Sequence, residues 1–354
     1  MKFVIFALTF FGFATTLTFL TDDTIGTHIF LESLGEVMGR PTEHVELFQS
    51  SKYNTADNQK LVERWKSIMQ KYEGSNDPNG FSLNQQMLKK LANGEKIMWD
   101  WLGRKVNRND LSELKNIYKN FKPIYTDLLG NPNAAKMKSY KEALNKEAEK
   151  SWRMEPWLKC ASQFTGSPVS SAKLSKIALY PVPNAQQAYG ESLGGMEMLG
   201  TACEHHDLHG DIGIVFHEKF HSLMRAIPNR RQAFLEATIK RELGPADQNE
   251  LPQFLQLWEE AMATVAGQVW AYKKATHKDP PEPWYADEAI DKFTKKVASL
   301  SKKYLDQCKP MDKDFFKAAV AEYKKLPPEQ RKAHQDIMPP QDEKNPGEEE
   351  PSQH

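Results

Sequence analysis

His217-Glu218-Lys219-Phe220-His221 sets two imidazoles four residues apart, with a carboxylate directly after the first. On an α-helix positions i and i+4 share one face, so both rings can bind a single metal ion. Two neutral nitrogens and a carboxylate suit zinc and leave a fourth position for water. Glu218 stands where it can take a proton from that water, and hydrolysis then needs no protein nucleophile. The neighbours Ile212, Ile214, Val215, Phe216, Phe220, Leu223 and Met224 predict a largely buried helix over 211–226, ended by Pro228. Two histidines and a glutamate on such a helix are costly unless something pairs with them.

A third ligand must come from elsewhere. The three-histidine pattern HExxHxxGxxH is excluded, because Met224 and Ile227 stand where it needs Gly and His. Downstream, residues 257–267 read as an amphipathic helix with two adjacent carboxylates, Glu259 and Glu260. Neighbouring helix positions differ by about 100°, so only one of the two can face the ion. Ala263, Ala266 and Gly267 are small enough for this helix to approach the first closely.

With these residues the chain resembles the gluzincins, the thermolysin-like metallopeptidases in which HExxH is completed by a glutamate on a later helix. The resemblance covers His217–His221 and Glu259–Gly267, with a strand-rich region just upstream, about a hundred residues in all. It implies a zincin-like catalytic domain, one zinc ion, Glu218 as general base, and a peptide or protein substrate. The ligating glutamate of that group is often followed by a small residue, which favours Glu260 as the ligand with His217 and His221, and leaves Glu259 as the alternative. The group also uses a His or Tyr to stabilise the oxyanion; Tyr272, His277, Tyr285 and His206 are candidates. Two residues depart from the pattern. Lys219 is charged where the family prefers uncharged residues, and Thr264 replaces an Asp that orients a zinc-bound histidine, a hydrogen bond Thr264 can also accept. These departures keep two alternatives open: an exported zinc-binding protein without turnover, and a metal-dependent hydrolase of non-peptide amides or esters.

The elements that must hold this site are mostly helical. Periodic apolar spacing predicts helices through 56–159 and again over 230–243, 251–276, 284–307 and 312–325. Between them, Ile177–Pro183 reads as a short strand confined by its prolines to an edge or an end, and Glu191–Cys203 as a second. Either segment could receive substrate by strand addition. The expected fold is therefore α+β, mostly α-helical with a small β-sheet: a helical region over 22–165 and a catalytic region over 166–326. Cys203-Glu204-His205-His206-Asp207-Leu208-His209 reads as a polar loop, with a second metal site or a substrate-binding histidine as the sharper alternative. Trp65, Met69, Met98, Trp99, Trp101, Trp152 and Trp157 are expected in the core.

The ends and the composition bound the rest. Phe3–Leu20 carries no charge and follows Lys2, so 1–21 is expected to be a secretory signal, or a membrane anchor if retained. Residues 327–354, rich in Pro, Glu, Gln and Lys, are expected to be a disordered tail. Forty-seven Lys+Arg balance 47 Asp+Glu, without the cationic surplus that nucleic-acid binding needs. Three cysteines exclude a disulfide framework; a single Cys160–Cys308 bridge is compatible with export. No P-loop or GxGxxG is present.

Overall fold

The computed structural model describes residues 17–37, 39–73, 81–169, 175–185, 188–193, 196–202 and 207–331. The architecture is α+β, mostly helical, around one small mixed sheet. Strand β1 (Leu17–Thr21) is followed by helices α1 (Asp23–Leu34), α2 (Thr42–Gln49), α3 (Ala56–Lys71), α4 (Leu83–Leu91), α5 (Glu95–Leu102) and α6 (Arg108–Tyr125). A π-helical turn at Thr126–Gly130 leads into α7 (Asn131–Ser151) and α8 (Met154–Thr165). Three strands follow: β2 (Ser175–Pro181), β3 (Tyr189–Ser192) and β4 (Met196–Thr201). The chain then runs through α9 (Leu208–Arg225), α10 (Asn229–Leu243), α11 (Leu251–Ala263), a π-helical stretch at Thr264–Ala271, α12 (Tyr272–Thr276), α13 (Glu288–Asp306) and α14 (Lys313–Lys324).

The sheet order is β1-β2-β4-β3, with β1, β2 and β4 parallel and β3 antiparallel to β4. Successive strand residues face opposite sides, and both sides are covered. Ile177 and Leu179 of β2 join the core built by α7 to α14, whereas Ala178 and Tyr180 join the core built by α1 to α6. Three layers result, helices on either side of the sheet.

This arrangement revises the boundaries read from sequence. A division at 165 separates α7 and α8 from the core they help to build, since Tyr140, Leu144, Trp157 and Phe164 pack with α9 and α11 to α14. Leu17–Thr21, the end of the apolar run expected to be a signal or anchor, forms β1 and pairs with β2 from Leu17↔Ser175 to Thr21↔Leu179. A removable segment ending at 21 would take this strand out of the sheet. Residues 1–16 lie outside the described residues. Among the described residues no helix is long and apolar enough to cross a membrane. The expected tail also starts late: Pro328–Gln330 forms a 3₁₀ turn, and Arg331 pairs with Glu250 at 3.2 Å. Residues 332–354 lie outside the described residues.

The first predicted strand is not at an edge. β2 is flanked by β1 and β4, and its prolines are accommodated because Pro181 is its last residue and Pro183 follows it. The second is a hairpin, β3 and β4, and β3 is the edge.

Cys160 in α8 is bonded to Cys308, just after α13, closing a loop with a sequence separation of 148 residues. Cross-linking so distant a pair restricts the unfolded chain, an effect of about 2–5 kcal/mol. Cys160→Ser should therefore lower unfolding stability by that amount relative to the oxidised protein. Reductant should have the same effect on the native chain and none on the variant, as denaturant titration would show.

Candidate metal centre

α9 begins at Asp207, whose side chain accepts the backbone N–H of Gly210 at 3.0 Å and satisfies one of the first-turn donors. The helix is buried along most of its length, and His217 and His221 lie one turn apart on the face turned to α11. The approach of the following π-helical stretch is set by Gly267. A Cβ there would stand 2.2 Å from the backbone nitrogen of His217, so only glycine lets the two backbones come this close.

Three side-chain atoms converge. His217 Nε2 and His221 Nε2 are 3.1 Å apart, and Glu260 Oε2 lies 3.4 Å from the first and 3.5 Å from the second. Atoms bound at about 2.0–2.1 Å to a tetrahedral zinc stand about 3.3–3.4 Å from one another. The triangle thus has the dimensions of one face of that tetrahedron. The other ring nitrogens are engaged elsewhere, as ligating histidines require. His221 Nδ1 lies 3.0 Å from Glu259 Oε1, and His217 Nδ1 lies 3.5 Å from Thr264 Oγ1. Thr264 donates its own hydroxyl proton to the Glu260 carbonyl at 2.8 Å, leaving its oxygen to accept from His217. With Nδ1–H on both rings, these partners would leave the two Nε2 lone pairs free for a metal. Glu259, the alternative ligand, is a partner of His221 on the far side of the ring. These three residues are a fit for a single zinc ion.

The charges are strongly coupled. Burial favours neutral forms, yet the Glu260 and Glu259 carboxylates hold the His221 imidazole well above the ordinary histidine range. Burial likewise pushes up on Glu260, but the two histidines bring it well below the ordinary carboxylate range. Burial raises Glu218, opposed by His217 and His221 and reinforced by Glu260 and Glu191.

A cleft of about 690 Å³ exposes this centre and is lined by His217, Glu218, Gly190, Asp211, Tyr272 and Tyr285 among others. Edge strand β3 forms one wall. A Cβ at Gly190 would lie 2.6 Å from Glu218 Oε1, so the glycine leaves the carboxylate its place against the strand. Further along, Ser192 Oγ meets Ser222 Oγ at 2.6 Å, and Arg225 donates to the Ser192 carbonyl at 2.7 Å. From the other layer, buried Arg40 joins Glu191 of β3 at 2.6 Å to Glu32 of α1 at 2.7 Å. The N-terminal helices therefore help to hold the strand beside Glu218.

Of the oxyanion candidates, Tyr285 is at the centre: its hydroxyl donates to Glu260 Oε2 at 3.0 Å, and its ring lies 6.0 Å from that of His217. Burial, then the Glu260 carboxylate, pushes its phenol upward. Tyr272 lines the same cleft, but its ring packs against Trp152 and His209. His277 ends α12 and lines a different cavity, so it is not brought to the centre. His206 lies outside the described residues, as do Cys203, Glu204 and His205.

Lys219 does not enter the cleft. Its Nζ pairs with Glu197 Oε1 of β4 at 2.8 Å, and both side chains are fully buried. Glu197 was not among the residues singled out from the sequence; it sits at a fully buried position of β4. Nor was Asp211, a lone acid at the start of the apolar run 212–216. Asp211 lies at the edge of the cleft, accepts the Tyr140 hydroxyl, and is pushed up to about 7 by burial, against the Tyr140 bond and with Asp207 adding to the rise.

No protein-family model, curated protein or solved structure matches this chain.

Proposed function

We propose that this chain is a zinc-dependent peptidase of gluzincin type, with a zincin-like catalytic half formed by the sheet and α7 to α14. The observation that carries the reading is the triangle of His217 Nε2, His221 Nε2 and Glu260 Oε2, with edges of 3.1, 3.4 and 3.5 Å and both Nδ1 atoms already engaged. When bound, a zinc ion there polarises the scissile carbonyl and acidifies a water.

The chain's own residues do the remaining work. An extended peptide added to edge strand β3 runs beside Glu218, because Gly190 brings the strand backbone against that carboxylate. Glu218 accepts the proton of the attacking water and passes it to the departing amine. Its burial raises its proton affinity towards that of a useful base. Tyr285, on the cleft wall, supplies a hydroxyl to the oxygen that gains charge. Thr264 and Glu259 hold the two imidazoles in the tautomer that leaves Nε2 free.

Two features weigh against the alternatives of a zinc protein without turnover and a hydrolase of other amides or esters. The buried pairing of Lys219 with Glu197 keeps its charge out of the cleft, and the strand edge at Gly190, beside Glu218, suits a peptide. The Cys160–Cys308 bond, with the uncharged N-terminal run, supports an exported setting.

Elemental analysis of the purified chain should find one zinc per molecule, lost in His217→Ala, and chelator should stop cleavage of a mixed peptide library. Absence of zinc from the native protein, or cleavage indifferent to chelator, would refute the proposal.

A further inference from the structure

A second cavity, of about 710 Å³, shares no lining residue with the cleft. It lies where α7 turns into α8, against the π-helical stretch and the end of α13. Its walls include Trp152, Trp157, Phe216 and Trp270. The polar atoms of the three indoles are already spent: Trp152 Nε1 donates to His209 Nδ1 at 3.4 Å, Trp157 Nε1 to the Ala266 carbonyl at 2.9 Å, and Trp270 Nε1 to Asp306 Oδ1 at 2.9 Å. These rings therefore offer the cavity only apolar surface.

The same cavity also has a charged lining. Lys150, Arg153 and Lys274 line it with a single acid, Asp306, which is held by both Trp270 and Lys274 at 2.9 Å. Among the described residues, neither Lys150 nor Arg153 has a carboxylate within ion-pairing distance. Two cations in the lining of an aromatic-walled cavity complement a ligand with an anionic head and an apolar body.

We infer that this cavity binds an amphipathic carboxylate of the fatty-acid class, its chain against Trp152, Trp157, Trp270 and Phe216 and its head group between Lys150 and Arg153. The guanidinium fork of Arg153 matches a carboxylate, and Lys150 adds a second charge. This site is separate from the zinc chemistry and does not depend on it.

Calorimetric titration of the full, disulfide-intact chain with sodium decanoate tests the inference, with decyltrimethylammonium as the same chain bearing the opposite charge, both below their micelle concentrations. Decanoate should bind saturably at one site per chain and shift tryptophan emission, and the cationic amphiphile should bind at least about tenfold more weakly. Lys150→Glu with Arg153→Glu should weaken decanoate by about tenfold or more while leaving zinc content unchanged. Should that pair fail to fold, Lys150→Gln and Arg153→Gln separately should each weaken it by about threefold. No saturable binding, equal binding of the cation, or affinity indifferent to these substitutions would overturn the inference.

Discussion

Glu218→Gln should lower the rate of peptide cleavage by about 10²–10⁴-fold while the zinc content and KM stay close to native. The substitution keeps the shape of the side chain beside Gly190 but removes its capacity to accept a proton. His217, His221 and Glu260 are untouched, so the proposed zinc ion should stay bound. The pH profile supplies an independent check. Activity requires the ionised carboxylate, and burial raises the proton affinity of Glu218. Native activity should accordingly rise with pH along an acid limb that lies above the usual carboxylate range, and the residual activity of the variant should lack this limb. Full activity in Glu218→Gln would remove the general-base role. Loss of zinc together with activity would instead show that the carboxylate supports the metal.

Lys219→Met should destabilise the fold by about 3–5 kcal/mol at neutral pH, because it leaves the Glu197 charge buried without its partner. Surface lysine substitutions are usually within about 0.5 kcal/mol, so the size of the loss identifies the buried pair. The double variant Lys219→Met with Glu197→Leu should recover most of it, since neither charge then remains. The pH dependence has a definite sign. Burial, only partly opposed by Lys219, already raises the Glu197 carboxyl above its ordinary value, and removing the lysine raises it further. The folded variant then holds a proton that the unfolded chain releases, so its stability falls as pH rises through that window. Its deficit relative to native should be smaller near pH 4 than near pH 8, as chemical denaturation at the two pH values would show.

Much of the candidate centre was legible because helical periodicity acts over four residues. The spacing of His217 and His221, and the argument that only one of Glu259 and Glu260 can face the ion, need only the geometry of one helix. Gly267 likewise signalled close approach through its size, and the gap it allows is filled by the backbone of His217. Of the aromatic and methionine positions expected in the core, Trp65, Met69, Met98, Trp152 and Trp157 are buried, whereas Trp99 and Trp101 are half-exposed on a short helix. The role of Lys219 was not legible. Its partner lies 22 positions earlier on a strand, and nothing local indicates that a lysine beside the general base should turn towards the sheet.

The sequence alone determined the helical texture, the presence of a small β region before α9, and the pairing of two imidazoles on one face, all set by interactions a few residues apart. Only the tertiary structure decided which strand is the edge, which side of the sheet each helix covers, and which of two adjacent glutamates meets the histidines. It also drew Leu17–Thr21 and α7 into the layers around the centre. Those choices depend on contacts between distant segments, where burial of apolar faces and pairing of buried charges select one arrangement from many with the same local pattern.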